Sequence, residues 1–380
     1  MSSSVPLPLP IQALVWPDAQ RPRAFAAWLA QVAPAQGLDV GTVRLASADA
    51  SFRRYLRIDQ IASAQTSRVI MDAPPDKEDC KPFVQVAGLM AAAGLSVPQI
   101  LAWDEAQGFM LLSDMGHSTL MQHIQAVEPR VGDSFAPQPN PSATTQALLA
   151  QTTDLLVQWQ LASRAGVLPT YDAALLRREL SLFPEWYLGR HKGLQISTEL
   201  QATLDSLFTQ IVARNLAAPQ VYVHRDFMPR NLMMPARPGV GLGVLDFQDA
   251  VTGPLSYDIA SLTRDAFWSW DEAFVLDVTV RYWHKARAAG LMDFEDWHQD
   301  FGSFYRAVEW MGLQRHLKVS GIFARLTLRD GKPSYLADTP RFVQYLRSTA
   351  ARYRELKPLL RLLDQVEDTP TVMGYAFGRV

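Results

Sequence analysis

The chain is poor in the features that mark several large classes of protein. It has a single cysteine, Cys80, among 380 residues, which excludes an intrachain disulfide framework and a zinc site built from several cysteines. Its 36 Lys and Arg residues are matched by 38 Asp and Glu residues, for a formal net charge of −2 at pH 7. No basic run marks a surface for nucleic acid. We therefore expect a reducing compartment and no nucleic-acid partner.

Long apolar runs are also missing. Apolar stretches such as residues 89–95 are far shorter than the roughly 20 residues that cross a bilayer. The first residues lack a basic segment and an unbroken apolar segment, so they do not resemble a signal peptide. These absences predict a cytoplasmic protein with no membrane partner, and we expect it to be a monomer.

The pattern of the chain changes about one third of the way along. Up to residue 115, short strand-like segments are joined by polar connectors, a pattern that favours antiparallel pairing. After a proline-rich segment at 127–145, helical spacing dominates, and strand-like sequence returns only at 220–247. The sequence therefore predicts a two-lobe α+β fold, with a small antiparallel-sheet lobe over 1–115 and a larger helical lobe over 116–380. The predicted strands are 42–46, 54–58, 68–72 and two within 97–116, and the predicted helices are 21–33, 80–94, 146–165, 172–191, 197–214, 271–288, 294–318 and 340–364.

The segment VYVHRDFMPRNLMM, residues 221–234, places a cluster of polar residues directly after an apolar strand. Its pattern H-R-D-x-x-x-x-N puts Asp226 five residues before Asn231, and a second strand runs into Asp246 within GVLDF. Transfer of a phosphoryl group from a nucleotide needs a carboxylate that accepts the proton of the attacking hydroxyl, and oxygen ligands for a divalent metal. We predict Asp226 as the base, and Asn231 and Asp246 as metal ligands. A predicted hairpin over 232–247 would return Asp246 to the level of Asn231.

Each of these residues also has a plainer interpretation. An aspartate after a strand is often a turn or cap residue, and H-R-D alone is common by chance. The three parts together are much more specific, and they favour the catalytic interpretation. Asp258, in GPLSYDIA, could equally be a helix N-cap, while Gln248 and Asp249 could simply be loop residues.

The segments VHRDFMPRNLMM and GVLDFQDAVTGPLSYDIASL are similar to those of the aminoglycoside phosphotransferase/choline kinase superfamily, which has the protein-kinase-like fold. The resemblance implies ATP as phosphoryl donor, a nucleotide-binding first lobe and Asp226 as the catalytic base. It assigns Asn231 and Asp246 to Mg²⁺. It also implies that Asp258 supports the catalytic loop and that His224 orients it.

Longer segments narrow the resemblance. FPEWYLGRH, LTRDAFWSW and EWMGLQRHLKVSGIFARLTLRDGKPSYLADTPR are similar to segments of the anomeric N-acetylmuramate/N-acetylglucosamine kinases of bacterial cell-wall recycling, which convert the C1 hydroxyl to an α-1-phosphate. An amino sugar is then the implied small-molecule partner. Two alternative functions stay open: a kinase of another small alcohol (an aminoglycoside, choline or homoserine), and a nucleotide-binding pseudokinase. Aromatic residues at helical spacing could also belong to the core and not to a sugar pocket. The candidate substrate residues are Glu185, Trp186, Asp265 and Arg315, with Glu309 and Trp310 as further candidates.

Two parts of the family pattern are missing. The segment 47–58, SADASFRRYLRI, has no glycine where the family has a glycine-rich nucleotide loop, so we expect Ser51 and Arg54 to cover the nucleotide. Met71 stands where the strand lysine is expected, and Gln85 lies near the position of its glutamate partner. The lysine and its glutamate partner are expected to be lost together, because either charge buried without the other would cost about 3–5 kcal/mol.

The end of the first lobe, MLLSDMG, matches the family's strand-to-hinge segment. Backbone groups of Ser113, Asp114 and Met115 are expected to meet the adenine edge, although an ordinary strand end is the alternative. In the absence of the strand lysine, Arg54 is joined by Lys77 and Lys81 as candidates for the nucleotide phosphates. The two lysines could also be ordinary surface residues.

Overall fold

The computed structural model describes residues 9–48, 52–132, 135–235 and 240–368. The chain divides into two compact units, Met1–Ser118 with Met233–Asp249, and Thr119–Leu232 with Ala250–Val380. The first contains an antiparallel sheet and the second is mostly helical, so the predicted α+β class is confirmed. The lobe boundary after residue 115 stays a prediction, and the first unit also includes a segment that the sequence analysis placed in the helical lobe.

The described residues form α-helices and β-strands that are numbered here in chain order. The helices are α1 Leu9–Ala13, α2 Arg21–Gln36, α3 Lys81–Ala92, α4 Leu120–Val127, α5 Ala143–Leu161, α6 Ala173–Leu180, α7 Thr198–Ala217, α8 Ser256–Thr263, α9 Glu272–Ala288, α10 Phe301–Leu328, α11 Thr339–Arg352 and α12 Lys357–Val366. The strands are β1 Leu38–Ala48, β2 Arg54–Gln60, β3 Ser63–Asp72, β4 Ile100–Asp104, β5 Phe109–Ser113, β6 Gln220–Val223, β7 Leu232–Met233, β8 Gly243–Val244 and β9 Val251–Pro254.

The sheet of the first unit has the strand order β1-β2-β3-β5-β4, and every neighbouring pair is antiparallel. The five strands predicted from the sequence are confirmed. The turn between β4 and β5 requires glycine at position 108. Gly108 has φ 67°, and a Cβ there would lie 1.9 Å from the carbonyl oxygen of Ala73. The turn at 106–108 is therefore fixed by a close approach between two backbones.

Helix α2 packs on this sheet through aromatic side chains. The ring of Phe109 on β5 lies 5.5 Å from the ring of Phe25 and 5.4 Å from that of Trp28. All three side chains are buried, and each contributes about 1.5–3 kcal/mol by leaving water. The helix begins with Pro22 in its first turn and ends at Gly37, which is left-handed. The helix starts where the sequence predicts it, at residue 21, and it ends at Gln36, beyond the predicted end at residue 33.

The second unit departs from the predicted helices at several places. The predicted helix 172–191 is two segments in the structure, α6 and a π-helix at Phe183–His191. The sequence did not predict the π-helix, because the spacing of apolar residues does not reveal its wider turns. Helix α10 begins at Phe301, where Asp300 caps it, and continues to Leu328, so the predicted bounds 294–318 were wrong at both ends. Helices α4 and α8 and strand β9 were not predicted. Within the described ranges, no helix combines the length and apolarity that a bilayer crossing requires.

Candidate active site

The predicted catalytic loop lies in the second unit and begins where a short sheet ends. Strand β6 pairs with β9 over four residues, and Val221, Tyr222 and Val223 are buried. The chain leaves the sheet at His224, which is fully buried. A rigid apolar strand therefore holds the first polar residue of the H-R-D segment.

Asp258 holds the backbone of this loop. Its carboxylate accepts hydrogen bonds from the N–H groups of His224 at 2.7 Å and Arg225 at 3.0 Å. The N-cap residue of α8 is Leu255, so the alternative interpretation of Asp258 as an N-cap is wrong and the supporting position is confirmed. Burial raises the pKa of Asp258 to about 6, against the opposing effects of His224 and of the two backbone N–H groups.

Asp226 follows a residue with unusual backbone geometry. Arg225 has φ 77°, in the left-handed region that L-residues rarely adopt. The Asp226 side chain is 45% exposed, and its Oδ1 lies 3.4 Å from Nη1 of Arg315. Desolvation would raise its pKa, but Arg315, Lys318 and Arg225 together lower the pKa below the ordinary value. Asp226 is therefore an ionised carboxylate with access to solvent, as a proton acceptor requires.

Asn231 closes the loop on itself. Its Nδ2 donates a hydrogen bond of 2.9 Å to the backbone oxygen of Asp226, and its backbone N–H donates to the oxygen of Met228 at 2.9 Å. The side-chain bond fixes the orientation of the amide, with Nδ2 toward the loop. The side chains that the H-R-D-x-x-x-x-N pattern places five residues apart thus belong to one ordered turn.

Asp246 lies in the first unit, directly after β8. The predicted hairpin over 232–247 is present as the two-stranded sheet of β7 and β8, although each strand has only two residues and its turn at 236–239 lies outside the described part. Asp246 is exposed and left-handed, with φ 61°, and its Oδ1 accepts a 2.9 Å hydrogen bond from Gln248. The next residue, Phe247, is buried against Phe83 with ring centroids 4.9 Å apart. Phe247 therefore anchors the D-F pair in the core, while the Asp246 side chain stays exposed to solvent.

The donors at Asn231 and Asp246 suit magnesium, since Mg²⁺ prefers hard oxygen ligands such as carboxylates and amide oxygens. No group of three or more His, Cys, Asp or Glu side chains that could hold a metal is found in the described ranges. Mg²⁺ is commonly held by one or two carboxylates together with substrate phosphates rather than by an all-protein cage. The fit of these residues to the ion rests on the chemistry of their oxygens.

The residues predicted to contact the nucleotide have defined partners within the first unit, except that Ser51 lies outside the described residues. Arg54 forms an ion pair of 2.7 Å with buried Asp72, which also binds Arg21 at 2.5 Å, and the Arg54 guanidinium lies 3.8 Å from the ring centroid of Trp16. These contacts give Arg54 a structural role in the first unit. A further contact with a phosphate stays a prediction.

The segment Ser113–Met115 is held by a network around Asp114. Arg57 donates to both carboxylate oxygens of Asp114, at 2.6 and 3.1 Å, and Ser67 donates at 2.6 Å. Desolvation would raise the pKa of Asp114, but the hydrogen bonds from Arg57 and Ser67 lower it below the ordinary value. The side chain of Met115 packs against Gly243, where a Cβ would lie 2.5 Å from its Cε. The contacts with adenine stay a prediction, on a backbone that the network fixes.

The missing strand lysine leaves an apolar position. Met71 is fully buried in β3, while Gln85 on α3 is exposed. Lys77 and Lys81 are more than half exposed and pair with surface carboxylates, Lys81 with Glu105 at 3.1 Å. The core of the first unit is therefore packed without a buried charge at position 71.

The four predicted substrate residues have different environments. Glu185 is about half exposed on the π-helix, and the neighbouring Trp186 is buried with the guanidinium of Arg190 4.1 Å from its ring. Arg315 lies at the catalytic loop, where its Nη1 donates to the backbone oxygen of Arg225 at 2.6 Å. Binding of the substrate by these residues stays a prediction.

Asp265, the fourth of them, is a buried carboxylate with an unusual environment. It is 2% exposed, and neither oxygen accepts a well-aligned hydrogen bond from the described residues. Burial raises its pKa to about 6, although the N–H of Ala266 and the charge of Arg341 act in the opposite direction. Arg341 also lines a cavity of about 350 Å³ in this unit, together with Arg264 and Tyr345.

The two further candidates on α10 are buried and have partners within the protein, and their contact with a substrate stays a prediction. Glu309 is fully buried and pairs with Arg264 at 3.2 Å and with Arg352, and Trp310 packs on Tyr353 with ring centroids 5.9 Å apart. Glu179 and Lys318 were not predicted from the sequence, and they form an ion pair of 2.9 Å next to the catalytic loop. The signal for Lys318 was weak: it lies three residues after Arg315 and therefore on the same side of α10.

Comparison with known proteins identifies the class. The family model of the phosphotransferase enzyme family matches residues 42–301, and this chain belongs to that family. A curated N-acetylmuramate/N-acetylglucosamine kinase from Pseudomonas aeruginosa is 46% identical over 353 residues, which cover 92% of this chain and 94% of the relative. The enzyme of the same name from Neisseria meningitidis is also 46% identical, over 92% of this chain and 97% of the relative.

Solved structures show the same fold at low identity. A Plasmodium vivax ethanolamine kinase has a TM-score of 0.57 at 10% identity and covers 92% of this chain and 93% of its own. An ADP-bound aminoglycoside phosphotransferase has a TM-score of 0.52 at 14% identity, over 84% of this chain and 97% of its own. The predicted kinase-like fold is confirmed, and the chain is a phosphotransferase.

Proposed function

We propose that this protein is an ATP-dependent kinase that phosphorylates the anomeric C1 hydroxyl of N-acetylmuramate, N-acetylglucosamine or both, to give the α-1-phosphate in peptidoglycan recycling. The observation that carries the reaction type is the loop of residues 224–231, in which Asp258 fixes the backbone and Asp226 remains ionised and accessible. The choice of sugar is supported by the names of relatives that are 46% identical over nearly the whole chain.

In the proposed reaction, Asp226 orients the C1 hydroxyl and accepts its proton. A bond forms between the sugar oxygen and the γ-phosphorus, and the bond from that phosphorus to the β–γ bridging oxygen breaks, so that ADP leaves. His224 and Asp258 contribute by holding the loop that presents Asp226. The low pKa of Asp226 keeps it unprotonated at neutral pH, ready to act as the base.

Magnesium would neutralise the phosphate charge and orient the γ-phosphate when it is bound. We assign its protein ligands to the oxygens of Asn231 and Asp246, because the chemistry of these donors suits the ion. For the nucleotide we retain Ser51, Arg54 and the backbone of residues 113–115. For the sugar we retain Glu185, Trp186, Asp265 and Arg315. We further propose a monomer located in the cytoplasm.

The function is tested by incubating the protein with ATP, Mg²⁺ and each sugar, and by following the product with phosphorus NMR. We expect a sugar 1-phosphate signal from at least one of the two sugars and none from choline or an aminoglycoside. Asp226→Asn should reduce kcat by about 10²- to 10⁴-fold, because it removes the proton acceptor. The matched control is Asp277→Asn, an exposed residue paired with Arg281 on α9, which should keep kcat within twofold. No sugar 1-phosphate from the wild type, or full activity in Asp226→Asn, would overturn the proposal.

A further inference from the structure

A buried carboxylate outside the sequence motifs lies next to the catalytic loop. Glu179, in the last turn of α6, is 6% exposed. Its Oε1 accepts a 2.6 Å hydrogen bond from Nη2 of Arg225 and lies 2.9 Å from Nζ of Lys318. Its Oε2 accepts hydrogen bonds from Gln314, at 3.2 Å, and from the hydroxyl of Tyr171. Four donors from different parts of the second unit thus converge on one side chain.

Glu179 is charged despite its burial. Desolvation would raise its pKa, but Lys318 and Arg225 lower the pKa below the ordinary value. Both cations are themselves largely buried, and the ion pair that the described structure gives to each is the one with Glu179. A buried ion pair costs desolvation and is weak evidence for a role in stability alone. The arrangement instead connects α6, α10 and the loop through a single charge.

The connection reaches the base through Arg225. This residue adopts the left-handed conformation and is held at three points, by Asp258 at its N–H, by Arg315 at its carbonyl oxygen and by Glu179 at its guanidinium. Strained backbone persists where its surroundings over-determine it. The backbone of Asp226 continues directly from this residue, so the direction of its carboxylate depends on the conformation of Arg225.

We propose that Glu179 is a positioning residue for phosphoryl transfer, which acts through Arg225 to hold the backbone from which Asp226 projects. The proposal rests on the proposed function for its kinetic consequence, and on the contacts above for its structural one. Glu179 lies outside the segments on which the family resemblance rests, and it contacts the catalytic loop through Arg225.

The first test uses kinetics on the full chain. In Glu179→Gln the size of the side chain remains, but the charge and one of the two acceptor oxygens are lost. We expect kcat to fall about 10- to 100-fold with the KM of ATP and sugar within threefold. Asp364→Asn is the matched control, since Asp364 is a buried carboxylate paired with Arg347 elsewhere in the unit. It should lower the melting temperature without changing kcat per folded molecule. The double variant Glu179→Gln/Lys318→Met removes the unpaired lysine charge and should recover melting temperature but not kcat.

The second test reads the loop without any sugar. Hydrogen exchange followed by mass spectrometry should show at least fivefold faster exchange in the peptide covering residues 224–231 of Glu179→Gln, and no change there in Asp364→Asn. This result supports the proposal even if the wild type phosphorylates neither sugar, in which case only the proposed function fails. Unchanged exchange in that peptide overturns the proposal. So does a kcat that stays within twofold of wild type, or one that recovers together with melting temperature in the double variant.

Discussion

Asp258 accepts a hydrogen bond of 2.7 Å from the backbone N–H of His224, a residue 34 positions earlier in the chain. The same carboxylate binds the N–H of Arg225, so one buried side chain fixes two consecutive peptide groups. The geometry of the loop is therefore determined by a residue that has no access to solvent.

Asp258→Asn should remove one of the two hydrogen bonds that hold the backbone of the loop. An amide can accept one of the two hydrogen bonds, but its NH₂ group faces the other N–H, so a buried donor is left without an acceptor. We expect a loss of about 1–3 kcal/mol in the free energy of unfolding, measured by urea denaturation. We also expect kcat to fall about 10- to 100-fold, because the base is displaced. Wild-type kcat in this variant would show that the loop keeps its geometry without Asp258.

Arg225 allows its backbone strain to be separated from its ion pair. Arg225→Ala and Arg225→Gly both lose the contact with Glu179, but only glycine adopts a φ of 77° without strain. We expect the glycine variant to be more stable than the alanine variant by about 1 kcal/mol, and both to be less stable than wild type. The measurement is the urea concentration at the unfolding midpoint of each variant, compared where the unfolding free energy depends equally on urea concentration in both. An alanine variant as stable as the glycine variant would contradict the assigned backbone conformation.

Asp265 should make stability depend on pH. Its pKa is raised from 3.8 to about 6 in the folded state, so the folded chain binds the proton more tightly than the unfolded chain does. The free energy of unfolding of wild type should therefore fall relative to that of Asp265→Asn as pH rises from about 4 to 6. The fall should reach up to about 3 kcal/mol, and the difference should be constant at higher pH. Unfolding free energies of both proteins at several pH values between 4 and 8 give the curve. A difference that does not vary with pH would mean that Asp265 is solvated or has a partner.

Gly321 on α10 marks a close approach between two segments. A Cβ there would lie 2.4 Å from the backbone carbonyl of Leu182, which cannot move as a side chain would. Gly321→Ala should therefore destabilise the protein by about 1–3 kcal/mol. Gly88→Ala on α3 is the control, since its Cβ would meet nothing within 4 Å, and it should stabilise by about 0.5–1 kcal/mol. Thermal unfolding of the two variants should shift in opposite directions, and a shift in the same direction would argue against the tight packing.

The sequence was informative where local signals coincide. The strands around Gly108 combine alternation with a turn glycine, and the structure has both strands and the turn. The H-R-D segment was recognised from spacing within one loop and Asp258 from the family resemblance, and the structure supplies the hydrogen bonds that explain both. Local chemistry within a few residues, or a motif with a mechanism, was therefore enough for these parts.

Contacts between distant segments were beyond the sequence. Glu179 lies in LLRREL, an ordinary amphipathic stretch, and its partners are 46 and 139 positions away, at Arg225 and Lys318. The ion pair of Arg54 with Asp72 was not predicted, because nothing in the sequence indicated that the two residues are cross-strand neighbours. The π-helix at Phe183–His191 also escaped, because its apolar residues fit an α-helix nearly as well. These features depend on register and tertiary packing rather than on composition.

The first unit is assembled from two parts of the chain that synthesis separates. Residues 119–232 leave the ribosome after the five-stranded sheet and before Phe247, whose ring covers Phe83, and before Val244, whose N–H binds the carbonyl of Ser96 at 2.8 Å. A nascent chain that ends before residue 247 lacks this ring and therefore leaves the Phe83 side chain without its cover, even when the five-stranded sheet has formed. The first unit can therefore be completed only after residues 119–232 of the second unit have been translated.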